Sequence, residues 1–452
     1  HAAVIFGLQH AATMDPTRRA ALADRHPHAP PPRRRLQIAV VTETYPPEVN
    51  GVASTLACTV EGLRARGHRV QLVRPRQGAA DTPRSDDHLQ EALMRGMSIP
   101  RYPFARMGVP SRPALRRLWQ LQRPDVVHIA TEGPLGWSAL QVADELGLPT
   151  SSDFRTNFHS YSAHYGLALL RRPIESYLRR FHNRTRRTMV PTDALRRELD
   201  AAGYRNLVTV ARGVDTALFD PARSCASLRE QWGVAPDQLV VVCVGRLAAE
   251  KNLDLLLRCF AAIESRHAGA RLLLVGDGPL RGALQAQHPQ VLFAGQQRGE
   301  ALARHYASAD LFLFPSLTET LGNVTVEAMA SGLPVLAFDC AGAAQLIRSG
   351  DNGELAPPAD AARFAAAALR LAGDAAARRA LGLRARELKK PDVTLKVGKS
   401  EQAQLATVSH TASLAGNDAV SSALLSRLGI GRVETLPELL ETLKLLHIVG
   451  PL

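Results

Sequence analysis

The sequence predicts an α/β protein in which two Rossmann-like, doubly wound domains face each other across a cleft, followed by a short α/β tail of different character. Two observations lead to this fold class. From Leu36 onward, short apolar runs alternate with helical patterns, and a second set of the same alternation begins near Asp237. Strands that alternate with helices favour parallel sheets covered on both faces. Residues 204–224, rich in turn formers, separate the two sets and are interpreted as a hinge.

The N-terminal stretch 1–35 is rich in proline and arginine and shows no apolar period. It begins at His1, and Met14 opens the tract MDPTRRAALADRHPHAPPPRRR. A stretch of this composition buries too little apolar surface to fold. We expect it to be a disordered extension, or sequence from a vector or from read-through. Neither a signal peptide nor the roughly 18–20 apolar residues of a membrane span is predicted.

Residues 36–204 carry the elements of the first predicted domain. LQIAVVT is a buried strand, and the helix GVASTLACTVEGLRARGH ends at Gly67. The strands RVQLVRP and PDVVHIA follow, and after them the helix PLGWSALQVADELGL. Ligands of doubly wound sheets bind beyond the carboxyl ends of the strands, so the loops after these strands are the expected binding loops.

Residues 205–387 form the second predicted domain. The predicted strands are QLVVVCVG, ARLLLVG, VLFAG, DLFLFPS and PVLAF, and the helices between them include NLDLLLRCFAAIESRH and VTVEAMASG. Gly276-x-Gly278 follows one strand. It resembles the start of a dinucleotide-binding motif, but a tight strand-to-helix turn with Pro279 opening the helix is the better interpretation.

The charge of the chain indicates an anionic partner. Its net charge is +13 and its pI is near 10, which is typical of proteins that meet phosphorylated substrates, anionic membranes or nucleic acids. No recognised nucleic-acid-binding module is visible, so nucleic acid is not expected. The five cysteines show no CxxC pair or metal spacing, and we interpret them as reduced thiols of a cytoplasmic protein.

Two cations follow the first strand of the second domain. Arg246 and Lys251 lie in VVVCVGRLAAEKNLDLLL, between the strand and the next helix. Cations at the carboxyl end of a strand and near a helix N-terminus suit a diphosphate. Two solvated surface cations remain the alternative. The second glycine of a Walker loop is absent, so a P-loop is excluded.

Two carboxylates bracket the turn in ETLGNVTVE. Glu319 precedes Gly322, and Glu327 lies about one turn into the next helix. The amides of Gly322, Asn323 and Val324 would point outward at the helix start, where the helix dipole favours an anion. Glu319 would then accept hydrogen bonds from ligand hydroxyls, and Glu327 from two vicinal hydroxyls such as those of a ribose. A capping acid and a solvated helix acid are the alternative.

Taken together, the motifs resemble the retaining glycosyltransferases of family four, mannosyltransferase-like enzymes with the two-domain GT-B fold. The resemblance covers about residues 36–387, and it implies that residues 36–204 form the acceptor-side domain and residues 205–387 the nucleotide-sugar-binding domain. Its pieces occur in the family's order: TETYPPEVNGVASTL, PDVVHIATEGPLGWSAL, SSDFRTNFHSYSAHYG, VPTDALRRELDAAG, ARGVDTALFDP, VGRLAAEKN, VGDGPL, FAGQ and PSLTETLGNVTVEAMASGLPVLA.

The resemblance implies a role for each matching position. Gly51 would belong to the loop that approaches the donor phosphate, and Arg246 and Lys251 would bind the diphosphate. Glu319 would bind the transferred sugar, and Glu327 the ribose. The amides of Gly322, Asn323 and Val324 would lie beside the sugar. The expected catalytic residues are Arg246, Lys251 and Glu319.

Two positions depart from the family pattern. Many relatives have His in FHTNF near the transferred sugar, whereas this chain has Arg155 in FRTNF, with His159 four residues on. An arginine cannot accept a hydrogen bond, so donor contacts differ here or the chain belongs to a variant subgroup. We still count Arg155 among the donor-binding residues. Gln345 stands where relatives often carry Glu in GGxxE.

The segment LALLRRPIESYLRRFHNRTRRTM predicts a basic amphipathic helix of the first domain. Its cations include Arg171, Arg172, Arg179, Arg180, Arg186 and Arg187. One interpretation is docking of the protein on anionic lipid, at the inner face of the cytoplasmic membrane, where a lipid acceptor would be met. The alternative is a solvated helix face whose arginine stems cover apolar surface.

Residues 388–452 change character. The stretch around SHTASLAGND resembles the phosphohistidine loop of nucleoside-diphosphate-forming acyl-CoA synthetases, with His410 at the phosphorylated position. Only about sixty residues match, and the CoA-binding and nucleotide-grasp parts are absent. We therefore interpret the tail as a fused or misassembled reading frame that carries no ligase activity. A purposeful two-function protein is the alternative.

The sequence thus predicts a transferase that moves a hexose from a nucleoside diphosphate sugar to a hydroxyl of a lipid or glycan. GDP-mannose is the first candidate donor and a UDP-sugar the second. No Asp-x-Asp motif accompanies the site, so neither a metal nor another cofactor is expected. A two-domain nucleotide-sugar epimerase would need general acids and bases around the sugar, and none is convincingly placed. An inactive fusion that only binds nucleotide is the non-enzyme alternative.

Overall fold

The structure is a computed structural model, and it describes residues 35–48, 50–99, 102–155, 171–387, 393–395 and 431–433. Within these residues the strands are β1 (Gln37–Val41), β2 (Arg69–Pro75), β3 (Leu89–Met94), β4 (Gly96–Ile99), β5 (Tyr102–Gly108), β6 (Val126–Ile129), β7 (Thr150–Asp153), β8 (Arg187–Val190), β9 (Leu207–Thr209), β10 (Val240–Val244), β11 (Arg271–Val275), β12 (Leu292–Gly295), β13 (Leu311–Phe314), β14 (Val335–Phe338), β15 (Glu354–Ala356), β16 (Val393–Leu395) and β17 (Gly431–Val433).

The helices of the same residues connect these strands. They are α1 (Gly51–Ala65), α2 (Arg112–Leu121), α3 (Pro134–Glu145), α4 (Arg171–Arg184), α5 (Asp193–Ala201), α6 (Ala226–Gln231), α7 (Leu253–Glu264), α8 (Arg281–Gln287), α9 (Gly299–Ala307), α10 (Asn323–Ala330), α11 (Ala341–Leu346), α12 (Ala361–Gly373) and α13 (Ala375–Arg386). Short 3₁₀ turns span Pro221–Arg223 and Ala249–Lys251.

The strands form two large sheets. The first has the order β3-β2-β1-β6-β7-β8-β9, and the second the order β12-β11-β10-β13-β14-β15. The pairing of β10 with β11 and with β13 is parallel, as is the pairing of β1 with β2 and with β6. Two parallel, doubly wound sheets are the predicted fold class, which is confirmed.

The chain divides into two units, His1–Thr150 and Ser151–Leu452. In the first unit, apolar residues of β1 and β2 pack against one face of α1, including Val40, Leu72 and Leu56, which are fully buried. The antiparallel pair β4 and β5 follows β3 in this unit. The domain boundaries predicted at 35, 204 and 387 stay a prediction.

In the second unit, the strands at the centre of the second sheet are apolar on both faces. Every residue of β10, β13 and β14 is buried, as expected when helices cover both faces of a parallel sheet. Among the covering helices, α7 and α12 contribute Leu256, Phe260 and Phe364 to the same core. A smaller cluster joins α4, β8 and α5 through Leu178, Val190 and Leu199.

The strand order of the second sheet creates a place for a ligand. From β10 the chain continues to β11 and β12 on one side, and it then returns to form β13 on the other side of β10. At such a reversal the loops after the two central strands diverge and leave a crevice at the carboxyl edge. The loops after β10 and β13 are therefore the place to look for the site.

Candidate functional site

The loop after β10 is held by the turn after β11. Leu247 donates its amide to the carbonyl of Asp277 at 2.9 Å, and Leu280 donates to the carbonyl of Leu247 at 3.0 Å. Gly278 permits this approach, because a Cβ there would lie 2.3 Å from the Leu247 carbonyl oxygen. The glycines of this turn thus serve close backbone packing, as the turn interpretation of the sequence predicts. The prediction that Pro279 opens the helix is wrong, because α8 begins at Arg281 with Leu280 as its N-cap residue and Pro279 lies in the turn before it.

Lys251 and Glu319 meet where the loops after β10 and β13 come together. Lys251 ends the 3₁₀ turn after β10, and its Nζ donates to Oε1 of Glu319. Ser316 Oγ donates to the same carboxylate oxygen at 2.9 Å. The two side chains are mostly buried, at 14% and 17% exposure. The predicted diphosphate cation and the predicted sugar acid therefore form an ion pair.

Arg246 lies at the start of the same loop and reaches solvent. Its side chain is 41% exposed, and Nη1 lies 3.8 Å from Oε1 of Glu250, whose side chain is buried. Glu250 thus neutralises part of the charge of Arg246. Both predicted diphosphate cations lie at the carboxyl edge of β10, but only Lys251 contacts Glu319 among the ion pairs of the described residues.

The helix α10 begins without a side-chain cap. Gly322 is its N-cap residue and has a φ of +84°, in the left-handed region that glycine adopts without strain. A Cβ at Gly322 would meet nothing closer than 3.5 Å, so conformation rather than space favours glycine here. The first amides of a helix have no partner within the helix. Those of Asn323 and Val324 are therefore placed to meet a ligand oxygen.

Glu327 lies on the first turn and a half of α10 and contacts a buried tyrosine. Tyr306 Oη, on α9, donates to Oε2 of Glu327 at 3.0 Å. Burial raises the pKa of Glu327, and the hydrogen bond from Tyr306 opposes part of that rise. One carboxylate oxygen of Glu327 is thus held by Tyr306, a partner that the sequence analysis did not find.

Arg155 follows β7 and lies beside the Glu319 loop. Its Nε donates to Asp153 Oδ2 at 2.5 Å, and its side chain is only 9% exposed. Its carbonyl oxygen accepts a hydrogen bond from Thr320 Oγ1 at 3.0 Å. The structure therefore brings Arg155 to the loop that carries Glu319, while His159 lies outside the described residues.

Arg212 is a residue at this site that the sequence analysis missed. It lies in the segment after β9, and its Nη1 donates to Oδ1 of Asn323 at 3.1 Å. The pKa of Arg212 is lowered to about 10, chiefly by burial and in part by the positive charge of Arg155, against the opposing charges of Asp153 and Glu319. Its sequence signal is an arginine in ARGVDTALFDP, a segment that belongs to the predicted hinge and to the family resemblance but was assigned no contact with a ligand.

Gly51 belongs to the other unit. It is the first residue of α1, whose N-cap Asn50 accepts a hydrogen bond from the amide of Ala53 at 2.8 Å. The role of Gly51 at the donor phosphate stays a prediction.

Glu43, in the same unit as Gly51, is a second residue that the sequence analysis missed. Its carboxylate accepts from the amides of Gly108 and, at 2.9 Å, Leu135, near the start of α3. Burial raises the pKa of Glu43 to about 7, against the lowering effect of these backbone hydrogen bonds. The carboxylate of Glu43 therefore lies at the N-terminal end of α3, where the helix dipole favours an anion.

The basic segment is only partly helical. α4 ends at Arg184, Arg186 lies beyond it, and Arg187 opens β8. The prediction of one basic helix through Arg187 is therefore wrong, because the chain turns there to form the next strand. Leu178 and Phe181 bury one face of α4. The exposed arginines are Arg172, Arg179, Arg180, Arg184, Arg186 and Arg187; the side chain of Arg171 lies outside the described residues.

The tail contributes a short ladder within the described residues. β16 pairs in parallel with β17. His410 lies outside the described residues. Across the part of the chain that the structure describes, no helix is long and apolar enough to cross a membrane.

Comparisons with known proteins agree with this arrangement. Residues 49–218 match the family described as Glycosyltransferase Family 4, and residues 238–374 match Glycosyl transferases group 1. A third match, to the succinyl-CoA ligase like flavodoxin domain, covers residues 359–446. The predicted resemblance of the tail is thereby confirmed, although the match begins earlier, at α12.

Curated relatives and a solved structure extend the match over most of the chain. The GDP-mannose-dependent alpha-mannosyltransferase of Mycobacterium tuberculosis is 36% identical, covering 71% of this chain and 84% of that protein. Sulfoquinovosyl transferase SQD2 of Arabidopsis thaliana is 30% identical, with coverages of 79% and 70%. A GDP-mannose-dependent alpha-(1-6)-phosphatidylinositol dimannoside mannosyltransferase of M. tuberculosis is 29% identical, with coverages of 71% and 84%. Sucrose-phosphate synthase of Thermosynechococcus elongatus has the same fold, with a TM-score of 0.66 at 22% identity over 78% of this chain and 94% of that chain.

Proposed function

The chain belongs to glycosyltransferase family 4 and is a nucleotide-sugar-dependent hexosyltransferase, and from this premise we propose that it moves mannose from GDP-mannose to a hydroxyl of a lipid or glycan. The anomeric configuration is retained. The observation that carries the proposal is the contact of Lys251 with Glu319 beside the uncapped start of α10. It puts a cation for phosphate and an acceptor for sugar hydroxyls side by side.

The proposed chemistry is positioning together with stabilisation of the leaving group. Lys251 has three donor hydrogens, so it can keep Glu319 and also reach a phosphate oxygen. Arg246, the amides at the start of α10 and Lys251 offset the negative charge that grows on the departing diphosphate. Glu319 holds the sugar hydroxyls and Glu327 the ribose, which fixes the reacting carbon. Neither acid acts as a nucleophile in this proposal.

The donor proposal rests on the curated relatives. Two of the three relatives above are named as GDP-mannose-dependent, including the one at 36% identity. The sulfoquinovosyl transferase at 30% identity shows that the sugar varies among proteins this similar. A UDP-sugar is therefore the second candidate donor.

The acceptor proposal rests on the exposed arginines of α4 and of the start of β8. Cations on the exposed face of a helix whose apolar face is buried attract anionic lipid headgroups. One relative is named for a phosphatidylinositol dimannoside. We propose a lipid or glycan acceptor that is met at the inner face of the cytoplasmic membrane.

We propose that transfer needs no metal, because Lys251, Arg246 and the helix amides supply the positive charge that a metal ion would otherwise give. The test is a transfer assay with the full chain, radiolabelled GDP-mannose or UDP-sugars, and vesicles of anionic glycolipid. We expect labelled lipid from GDP-mannose, unchanged by EDTA, with an α-linked product by NMR. Transfer from UDP-sugars alone would show that the donor is a UDP-sugar and not GDP-mannose. An inverted product, or activity lost to EDTA and restored by Mg²⁺, would overturn the mechanism, and nucleotide binding without transfer would favour the inactive fusion.

A further inference from the structure

The positive charge beside Glu319 exceeds the negative charge that is paired with it. Arg155 pairs with Asp153, and Lys251 pairs with Glu319. Arg212 instead donates to a neutral amide oxygen, that of Asn323, and no ion pair of Arg212 occurs within the described residues. The segment 156–170, which follows Arg155, contains no Asp or Glu, so it offers no carboxylate to this cluster. Arg212 is the surplus cation.

A surplus, partly buried cation is unfavourable for the protein without a ligand. Guanidinium desolvation is costly unless a carboxylate or phosphate replaces the lost water. Arg155 adds repulsion, since its charge acts on Arg212 in the same direction as burial does. Asn323 recovers only one hydrogen bond, although an arginine has five donor hydrogens. Such an arrangement is expected of a residue that serves ligand binding at a cost to the stability of the protein.

The guanidinium group of Arg155 provides a further hydrogen-bond donor at this place. Nη1 of Arg155 is buried and has no hydrogen-bond partner in the part of the chain that the structure describes. Arg155 is held next to the loop by the Thr320 hydrogen bond to its carbonyl oxygen. Arg212 is held at the first residue of α10, where the helix lacks a side-chain cap. Two guanidinium groups and a helix start thus border the loop from Glu319 to Asn323.

We propose that Arg212, assisted by Arg155, binds the diphosphate of the donor at the start of α10 and is a further catalytic residue of this transferase. The inference rests on the proposed function. In transfer, the bond from the sugar C1 to the β-phosphate oxygen breaks and its electron pair stays on that oxygen. The acceptor hydroxyl oxygen bonds to C1, and its proton passes to the departing phosphate or to solvent. Arg212 stabilises the charge that the diphosphate gains.

This role explains the geometry better than a structural role would. The planar fork of an arginine binds two phosphate oxygens at once. Asn323 orients that fork from the helix that would supply amides to the same phosphate. Lys251 is engaged with Glu319, and Arg246 lies near Glu250, so Arg212 is the cation with the least compensated charge.

The test compares Arg212→Met with Arg378→Met. Arg378 is a matched control: its pKa is also lowered by burial, but its Nη1 donates to the carbonyls of Leu371 and Ala372 at 2.7 and 2.6 Å, which join α12 to α13. Titration calorimetry measures binding of GDP and GMP, with UDP and UMP in parallel. Thermal melting is measured without ligand, and transfer is measured with saturating donor.

We expect Arg212→Met to weaken binding of the nucleoside diphosphate about tenfold or more, as when a charge-assisted hydrogen bond is lost. Binding of the monophosphate should change less than about threefold, since it lacks the β-phosphate. The transfer rate should fall, and the ligand-free melting temperature should stay the same or rise, because the variant lacks a partly buried charge that has no ion-pair partner among the described residues. The affinity of Arg212→Lys for the nucleoside diphosphate should lie between those of the wild type and Arg212→Met, since lysine keeps the charge but not the planar guanidinium group. Arg378→Met should lower the melting temperature and leave nucleotide binding unchanged.

Three results would overturn the inference. These are wild-type affinity for the diphosphate in Arg212→Met, an equal loss for diphosphate and monophosphate, and a lowered melting temperature or failure to fold, which would make Arg212 a structural residue. If the wild-type chain binds neither GDP nor UDP, the proposed function itself fails. If the wild type binds and Arg212→Met binds equally well, only the role of Arg212 fails.

Discussion

Nζ of Lys251 donates to the carboxylate of Glu319 across the crevice between the loops after β10 and β13. The two residues are 68 positions apart in the chain, and the strand order makes them neighbours. In this pair each charge is compensated before a donor arrives, so neither side chain is an isolated buried charge. If Lys251 binds phosphate and Glu319 binds sugar, as we propose, this pair couples the two binding events.

Removing Glu319 should separate binding from transfer. In Glu319→Ala, Lys251 loses its carboxylate, so we expect affinity for the plain nucleoside diphosphate to hold or increase. The transfer rate should fall by about 100-fold, the size of effect seen when one preorganised polar contact to the transition state is lost. Calorimetry with GDP and a transfer assay measure the two effects.

Lys251→Ala is the counterpart and should lower both nucleotide affinity and transfer. Arg363→Ala serves as a control for lost positive charge, because this side chain on α12 is 75% exposed. If Glu319→Ala weakens nucleotide binding as strongly as Glu327→Ala does, the assignment of Glu319 to the sugar is wrong.

The central strands and the two carboxylates were predictable because their signals are local. VVVCV and LFLF are continuous apolar runs, as expected for strands buried on both faces, and they became β10 and β13. The edge strand β15 has three residues, and β9 is similarly short. Neither has a long enough pattern to separate it from a loop, so neither was predicted.

Arg212 and Tyr306 were missed for a different reason. Their partners lie 111 and 21 residues away, and spacing within one motif contains no information about such contacts.

Glu327 should make nucleotide binding depend on pH. Its pKa is raised by burial, so it takes up a proton at a higher pH than an ordinary glutamate. The carboxylate accepts ribose hydroxyls only when ionised, so affinity should fall as the pH falls through the raised pKa. The stability effect has the opposite sign, because the folded state holds the proton more tightly. Glu327 therefore contributes less stability as the pH rises above the ordinary glutamate range.

Calorimetry with GDP across pH 4–8, read against Glu327→Gln, measures this effect, since the phosphate of the nucleotide also titrates near pH 6. Tyr306→Phe removes the hydrogen bond that lowers the pKa of Glu327, so the midpoint should move to higher pH. Glu327→Ala should weaken nucleotide binding at every pH where the wild type is ionised. An identical pH profile in the wild type and Glu327→Gln would contradict the ribose role.

The exposed arginines of α4 and of the start of β8 should bind anionic membranes. Replacing Arg179, Arg180, Arg186 and Arg187 by Gln removes four cations, each contributing roughly 1 kcal/mol near an anionic surface. We expect the variant to lose sedimentation with phosphatidylglycerol vesicles. Wild-type binding should weaken with added salt, because charges are screened over about 10 Å at 0.1 M.

A matched charge control comes from the other helices. Arg363, Arg370, Arg379 and Arg384 are exposed on α12 and α13, and their replacement by Gln changes the net charge equally. This control should sediment as the wild type does. If both variants lose binding alike, net charge rather than this surface is responsible, and if neither does, the arginines of α4 only cover apolar surface.

The tail after Glu387 should add no ligase chemistry and should lower stability. A phosphohistidine loop works when a nucleotide site and a CoA site both present phosphate to it, and the match to the succinyl-CoA ligase like domain covers only residues 359–446. We therefore expect His410 to stay unphosphorylated with ATP and acyl-CoA. Near the end of α13, Leu383 is 68% exposed, so apolar surface is uncovered there. At roughly 25 cal/mol per Å² of apolar area, covering a few hundred Å² is worth several kcal/mol, comparable with the net stability of a domain.

The test is a chimera in which the C-terminal residues of the M. tuberculosis mannosyltransferase replace the residues after Glu387. It should melt at a higher temperature and transfer sugar faster than the natural chain. Arg386 pairs with Asp220 at 2.6 Å, so Arg386→Gln in both proteins controls for disturbance at the junction. Equal stability and activity of the two proteins, or label on His410 that His410→Asn abolishes, would show that the tail has a function of its own.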